Sequence, residues 1–495
     1  GGGGLGDDGE RCEQEVNEKP CRHDGEEATG APGQECTARR HDTGLGGTVL
    51  VMTIADPVAE TTDLLQHLIR NACVNDGTVE SGAEIRSVDV LESYLAGGGL
   101  DVERFEPRPG RASLVARIEG SDPSAPSLLL MGHTDVVPVN PDGWTRDPFS
   151  GDIVDDFIWG RGAVDMLNIT ASQAVAFRRL ADSGFRPKGT LIYLAVADEE
   201  ALGTWGARWL VENERDAVYA DYVLTESGGY QMPTADGVRL PVLTAEKGTF
   251  WTKLRIRGTP GHGSQPFRTD NAVVTAAEVV RRISEYQPQS QIHDVWRQFV
   301  EGMDYPDEIR RAFLDPQGLR DALAELPLGM SRLVHACTHT TFAPTIVHGG
   351  TKTNVIPDLV ELEVDIRTMP DQDGADARAM LEEALGDLAD LVEIESNDDP
   401  ATESPTDTPL WDTLDRVSSR LVDNSSLVPF LMVGGTDNRY FRRAGSVGYG
   451  FALFSRRLSF EDYATMFHGN DERVDIDSLR MSEELWEAVA RDLLE

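Results

Sequence analysis

The stretch LIYLAVADEEAL, residues 191–202, runs from an almost unbroken apolar segment directly into Asp198, Glu199 and Glu200. A short continuous apolar run of this kind reads as a strand buried on both faces. A solvated turn is the ordinary reading of the charge cluster at its end. A chemical role requires corroboration from elsewhere in the chain.

On either side, apolar strands alternate with amphipathic helices: SLLLMG at 127–132, a helix near 168–183 closed by Gly184, a helix near 203–214, and DYVLT at 221–225. That order predicts an α/β fold whose mostly parallel sheet is covered on both faces. Ligands of such sheets gather at the carboxyl ends of the strands, and the acidic triplet lies at one of those ends. Upstream, Leu64, Leu65, Leu68, Ile69 and Ala72 share one helical face, which predicts a first helix over 57–74. Residues 1–51 open with GGGG, are rich in Gly, Glu and Asp, and lack aliphatic periodicity until TVLVM, so a disordered acidic tail is expected there.

After Lys247 the texture changes. FWTKLRIRG (250–258), a helix from about 270 to 283, a long polar segment, APTIVHGG (343–350), the alternating LVELEVDIR (359–367), a helix near 374–388 and LVEIE (391–395) follow in turn. Two strand–helix–strand units predict a small α+β, ferredoxin-like domain at 247–398, inserted into a catalytic domain made of 52–246 and 399–495.

A chain of 495 residues can bury a large core and divide into domains. Its formal charge, 45 − 85 = −40, repels nucleic acid and anionic membranes, so neither is an expected partner. No apolar run approaches the roughly 20 residues of a membrane span. The start also lacks the basic-then-apolar order of a signal peptide, and a cytoplasmic location is expected. Cys12, Cys21 and Cys36 crowd the first forty residues and only Cys73 and Cys337 follow, which does not describe a disulfide framework. With His23 and His41 the early cysteines also lack the paired short spacings of a zinc knuckle.

Other strand ends supply the corroboration. His133 and Asp135 follow SLLLMG, Asp165 lies in GRGAVDM (160–166), Glu226 follows DYVLT, and His468 stands in TMFHGNDE (465–472). Oxygen and imidazole donors without cysteine suit zinc, cobalt or manganese. Adjacent residues of extended chain point in opposite directions, so Glu199 and Glu200 divide the work: one holds metal and the other faces the reacting water. A metal-assisted hydrolase needs that pair, a Lewis acid and a carboxylate that moves the proton.

GHTDVVPV (132–139), GRGAVDM, the Glu199–Glu200 pair, LTESGG (224–229), GHGSQP (261–266), NVIPD (354–358), GGTDNRY (434–440) and FHGNDE (467–472) together resemble the M20 family of metallopeptidases and aminoacylases. The likeness runs from about residue 55 to the C-terminus, and TDNRY is similar to the aminoacylase-1 and carboxypeptidase S branch. The resemblance implies a zinc-peptidase-like catalytic domain with an inserted lid and dimerisation domain. It implies two divalent ions, zinc with cobalt or manganese as alternatives, bridged by Asp165. His133 and Glu226 would complete one site, Glu200 and His468 the other. Glu199 would be the general base, and Asp135 the carboxylate that orients His133.

The resemblance further implies a homodimer in which His262, from GHGSQP, reaches the partner subunit's active site to stabilise the oxyanion. Asn354, Arg367, the Gly434, Gly435 and Thr436 backbone, and Arg439 would hold the substrate's carboxylate or amide, a task suited to bidentate arginine. Arg367 shares a strand face with Glu361, Glu363 and Asp365, so a surface ion pair is its competing reading. Two departures from the family pattern stand out: Leu167 and Asn168 replace a common Lys-Gly, and Glu226 replaces a common Asp. The lysine's loss bears on subfamily and substrate more than on metal binding. The expected activity is hydrolysis of an amide next to a free carboxylate, in an N-acyl amino acid or short peptide. The alternatives are deacylation of a biosynthetic intermediate of the acetylornithine or succinyl-diaminopimelate type, and an inactive metal-binding regulator, which the presence of Glu199 disfavours.

Overall fold

The computed structural model describes residues 56–96 and 100–495; the tail expected over 1–51 lies outside them. Leu191–Val196 is a strand with every residue buried. It lies within a ten-stranded sheet whose order is Asp101–Arg108, Arg111–Ile118, Leu191–Val196, Leu128–His133, Tyr222–Thr225, Val447–Gly450, Gly237–Glu246 and Thr402–Glu403. Ser425–Met432 and Met232–Thr234 also pair with Gly237–Glu246. The parallel part is the four-strand centre, from Leu191–Val196 to Val447–Gly450. Towards the edges the pairing turns antiparallel, apart from Ser425–Met432, which runs parallel to its neighbour.

Both faces of that centre are covered. Leu128 and Leu130 point into one core and Leu129 and Met131 into another, as the pleat requires. On the first face lie Pro57–Asn71, Leu167–Asp182 and Ile476–Leu494. Pro57–Asn71 starts at Asp56, whose carboxylate accepts from the Val58 amide, and Pro57 occupies the first turn, where its missing N–H costs nothing. Leu167–Asp182 is almost wholly buried because its small residues admit close neighbours: a Cβ on Gly132 would stand 2.4 Å from Thr170 Oγ1.

Register then places the chemistry. His133 pairs with Val196 and Leu130 with Leu224, so three parallel strands leave the sheet at one edge. His133, the Asp198–Glu200 turn and Glu226 therefore stand side by side. The helix expected at 203–214 begins only at Ala207. Asp198 holds the preceding residues in a turn, its carbonyl accepting from Gly203 N at 2.7 Å and its carboxylate from Trp205 N at 2.8 Å.

Gly248–Arg257, Thr341–Gly349, Leu359–Thr368 and Val392–Asp399 form a separate antiparallel sheet. Numbered along the chain, its strands lie in the order second, third, first, fourth, with Ala272–Glu285 and Gly374–Leu385 as the intervening helices, the ferredoxin-like arrangement. Phe250, Leu254 and Ile256 pack beneath those helices, and the other sheet face is left open. The polar segment expected after residue 283 is instead helical: Asp294–Gly302, Asp307–Phe313, Pro316–Glu325 and Leu328–Thr338. They gain a core by docking Trp296, Phe299 and Val300 against Val428 and Leu431 of the large sheet. No helix among the described residues is long and apolar enough to cross a membrane.

Candidate metal centre and active site

Among the described residues, three overlapping groups bring ligand atoms within 4.8 Å of one another: His133, Asp165 and Glu226; Asp165, Glu200 and His468; His133, Glu199 and Glu200. Asp165 faces both histidines. Its Oδ1 lies 3.4 Å from His133 Nε2 and its Oδ2 3.1 Å from His468 Nε2, which is also 3.3 Å from Glu200 Oε2. Each side chain owes its place to a local feature. Glu226 ends Tyr222–Thr225 just before Ser227, Gly228 and Gly229 turn the chain through positive φ. Only glycine fits the last of these, since a Cβ there would lie 1.5 Å from Ala452 O.

The electrostatics call for cations. Burial, then repulsion by neighbouring carboxylates, pushes Glu226 and Glu199 well above the usual carboxylate range and Glu200 up to about 7. Burial works to lower His133, yet Asp165 and the surrounding carboxylates raise it well above its ordinary value. Hydrogen bonds to Asp165 and Glu200 lift His468 to about 10. Asp165 is held low, against its burial, by the two histidines. Two imidazoles cannot neutralise this many carboxylates in a water-poor site. The donor set contains oxygen and nitrogen alone, and among the described residues His133 Nε2 and Glu200 Oε1 are buried without hydrogen-bond partners. Those orphaned lone pairs fit divalent cations held by these residues.

Behind the ligands stands a layer that sequence reading largely missed. His133 Nδ1 is 2.9 Å from the backbone carbonyl of Asp135 and 3.6 Å from its carboxylate, so the orienting group is the carbonyl. The Asp135 carboxylate is occupied otherwise: it accepts from Glu199 N at 3.3 Å, Glu200 N at 3.1 Å and Asn75 Nδ2 at 2.9 Å. It thus clamps the acidic turn itself. Asn75 also donates to Asp198 at 3.2 Å, and Arg111 lies 3.3 Å from Asp198 and 2.6 Å from Glu84. Glu472 supports Asp165 from the other side, accepting from the amides of Gly162, Val164 and Asp165 and from Arg161. Glu472 lies in the quoted FHGNDE, so a signal for it existed; Asn75, Glu84 and Arg111 carry none.

A cavity of about 200 Å³ opens on Asp165, Glu199, Glu200, Glu226 and His468, and its far wall includes Thr249, Trp251, Arg367, Gly435 and Arg439. Arg367 combines both sequence readings, since it reaches this cavity while bonding Asp365 at 2.7 Å. Arg439 is buried, with Asp399 3.1 Å away. Thr436 is turned elsewhere, its amide and hydroxyl both bonded to Glu246. His262 and Asn354 do not line the cavity either. They meet each other on an exposed two-stranded ribbon, where Gly263 N donates to Asn354 O at 2.8 Å. The ribbon's position follows from its pairing: Gly258 N donates to Asp358 O at 2.9 Å and His262 is in register with Val355, so the ribbon continues the Gly248–Arg257 and Leu359–Thr368 pair of the four-stranded sheet rather than the sheet that carries the metal ligands.

Residues 129–492 match the model of peptidase family M20/M25/M40. The chain belongs to that family. It is 28% identical over 381 residues to the N-fatty-acyl-amino acid synthase/hydrolase PM20D1 of Xenopus tropicalis, spanning 75% of this chain and 73% of that protein. It is 29% identical to human aminoacylase-1 over 383 residues, 76% of this chain and 82% of the relative. In fold it is similar to an M20 family metallo-carboxypeptidase from Sulfolobus solfataricus, with a TM-score of 0.66 at 17% identity over 89% of this chain and 99% of the other.

Within this M20 chain Leu167 and Asn168 are buried rather than placed on the cavity wall. Leu167 begins the helix after Asp165 and packs so closely that a Cβ on Gly162 would stand 2.5 Å from its Cδ1. Asn168 is buried beside it with Oδ1 unpartnered. Asp437, unassigned from sequence, is likewise buried with both carboxylate oxygens unpartnered, and burial raises it to about 7.

Proposed function

We propose that this M20 protein is a dinuclear metal-dependent hydrolase that cleaves an amide bond next to a free carboxylate, in N-acyl amino acids or short peptides. The observation that carries the reading is the sharing of Asp165 between two ligand groups, with Glu199 beside them and two arginines on the wall of the same cavity. His133 and Glu226 would hold one ion and Glu200 and His468 the other, with zinc the metal proposed. The chemistry supplied by the bound ions is acidification of a water and polarisation of the amide carbonyl.

The chain's own residues do the rest. Glu199 takes the proton from the attacking water and delivers it to the leaving nitrogen. Asp135 fixes Glu199 and Glu200 through their amides. Arg367 and Arg439 each have an acidic partner that orients the guanidinium, and its remaining N–H donors take the substrate carboxylate. The inserted domain is carried by residues 247–398, whose four-stranded sheet and two helices stand apart while the helices of 294–338 rest on the large sheet, and it dimerises so that His262 and Asn354 serve the partner subunit's site. The two buried, unpaired thiols of Cys73 and Cys337 support a reducing, cytoplasmic setting.

The test is hydrolysis of a panel of N-acyl amino acids and dipeptides by zinc-loaded protein, alongside Glu199→Gln. Turnover requiring the free carboxylate is expected. The variant should keep the wild-type metal content while kcat falls about 10²-fold or more, the usual contribution of a catalytic base. Near-wild-type turnover by Glu199→Gln, or loss of its metal, removes the assignment of Glu199 as base.

A further inference from the structure

The cavity that holds the metal-type ligands is small. Its volume of about 200 Å³ lies below the roughly 300 Å³ at which small-molecule sites begin. It does not end there. Trp251 forms part of its wall and also part of the wall of an adjoining trough of about 510 Å³ on the open face of the four-stranded sheet. Alternation along Gly248–Arg257 explains the indole's position: Phe250, Leu254 and Ile256 go down into the core, and Trp251 stands on the other face, 41% exposed. Ile346, 44% exposed, adds apolar surface from the edge strand Thr341–Gly349.

The charge around the trough decides what enters it. Three carboxylates line it, and each already has a cation. Asp365 is bonded to Arg367 at 2.7 Å, Glu363 lies 3.4 Å from Lys253, and Glu395 is bonded to Arg255 at 2.6 Å. The trough therefore offers an aromatic platform whose three lining carboxylates are each paired, Arg255 also bonding Glu361 outside the trough at 2.9 Å. A substrate carboxylate gains nothing there, whereas an uncharged group removes apolar area from water. Resting on the amide-hydrolase reading above, we propose that the acyl group of the substrate lies over the Trp251 indole in this trough, so that Trp251 selects large, uncharged acyl groups, aromatic or long-chain, over acetyl.

The experiment compares kcat/KM for N-acetyl-, N-octanoyl- and N-phenylacetyl-L-alanine in the metal-loaded wild type, Trp251→Ala, Trp251→Phe and Ile346→Glu. The wild type is expected to prefer the two larger acyl groups. In Trp251→Ala the octanoyl-to-acetyl and phenylacetyl-to-acetyl ratios should fall about 10- to 200-fold, the discrimination that apolar pocket contacts supply. Trp251→Phe should keep most of that preference. Ile346→Glu, at an exposed position that places no demand on folding, should lower both ratios by adding an unmatched charge. A wild type that prefers acetyl, or ratios unchanged in Trp251→Ala, overturns the proposal. If no amide in the set is cleaved, the hydrolase reading fails, and calorimetric binding of the same three compounds to wild type and Trp251→Ala still decides the subsite: a preference for the larger acyl groups that the substitution abolishes supports it, and equal binding refutes it.

Discussion

Arg111→Met is the substitution whose cost follows most directly from the structure. Arg111 is 1% exposed and Glu84 0% exposed. The guanidinium donates to Glu84 at 2.6 Å, to Thr78 O at 2.8 Å and to Asn75 Oδ1 at 3.2 Å, and stands 3.3 Å from Asp198. Methionine keeps much of the stem's volume and removes the charge, leaving Glu84 and Asp198 buried without their cation. Breaking a buried pair in this way costs about 3–5 kcal/mol. A loss in the middle of that range changes the folding equilibrium roughly a thousandfold. Glu84→Gln should cost less than Arg111→Met, because the amide retains an acceptor for the guanidinium. The Glu84→Gln/Arg111→Met double variant should be more stable than the sum of the singles, with a coupling of about 0.5–3 kcal/mol typical of contacting groups. Urea denaturation of the metal-loaded proteins gives these differences from midpoint and slope. A loss below about 1 kcal/mol for Arg111→Met, or strict additivity in the double variant, would refute the electrostatic account of this network.

Two other outcomes are expected. If His262 works in the partner subunit, mixing inactive Glu199→Gln with inactive His262→Ala restores activity as subunits exchange, up to about a quarter of wild type per total site, since one site of each hybrid has both groups and losing an oxyanion donor alone costs about 10²–10³ in kcat; demonstrated exchange without recovery rules the trans role out. Glu483, buried in the helix Ile476–Leu494, is raised by burial to about 7 despite Arg179 3.2 Å away. Its folded-state pKa exceeds the ordinary glutamate value of 4.5, so the native state holds a proton that the unfolded chain releases. The resulting stability is full below about pH 4.5 and is lost as pH rises through about 7, with a slope of up to about 1.4 kcal/mol per pH unit. Denaturation curves at pH 5 to 8 should be flatter in Glu483→Gln than in wild type; identical slopes contradict the assignment.

The sequence by itself determined the alternating strands and helices, the edge of the sheet at which the chemistry gathers, and the residue types gathered there. These are local signals. A strand buried on both faces announces itself within a few residues, as LIYLAV does, and the carboxylate or histidine that ends it is adjacent in the chain. The ferredoxin-like unit was legible for the same reason, through the strict alternation of LVELEVDIR. Only the tertiary structure decided which atom of Asp135 orients His133, since carbonyl and carboxylate belong to one residue and differ only in where folding aims them. It alone joined Asn75 to Asp198 and Arg111 to Glu84, residues of ordinary type far apart in sequence whose partnership exists once burial removes water as the alternative partner. The helices of 294–338 were legible in part, since Val295, Trp296, Phe299 and Val300 share one helical face, but what that face packs against, Val428 and Leu431 far along the chain, only the fold brings to it. The trough beside Trp251 is also a tertiary product: its carboxylates read as surface charge in the sequence, and only folding pairs each of them with a lysine or arginine.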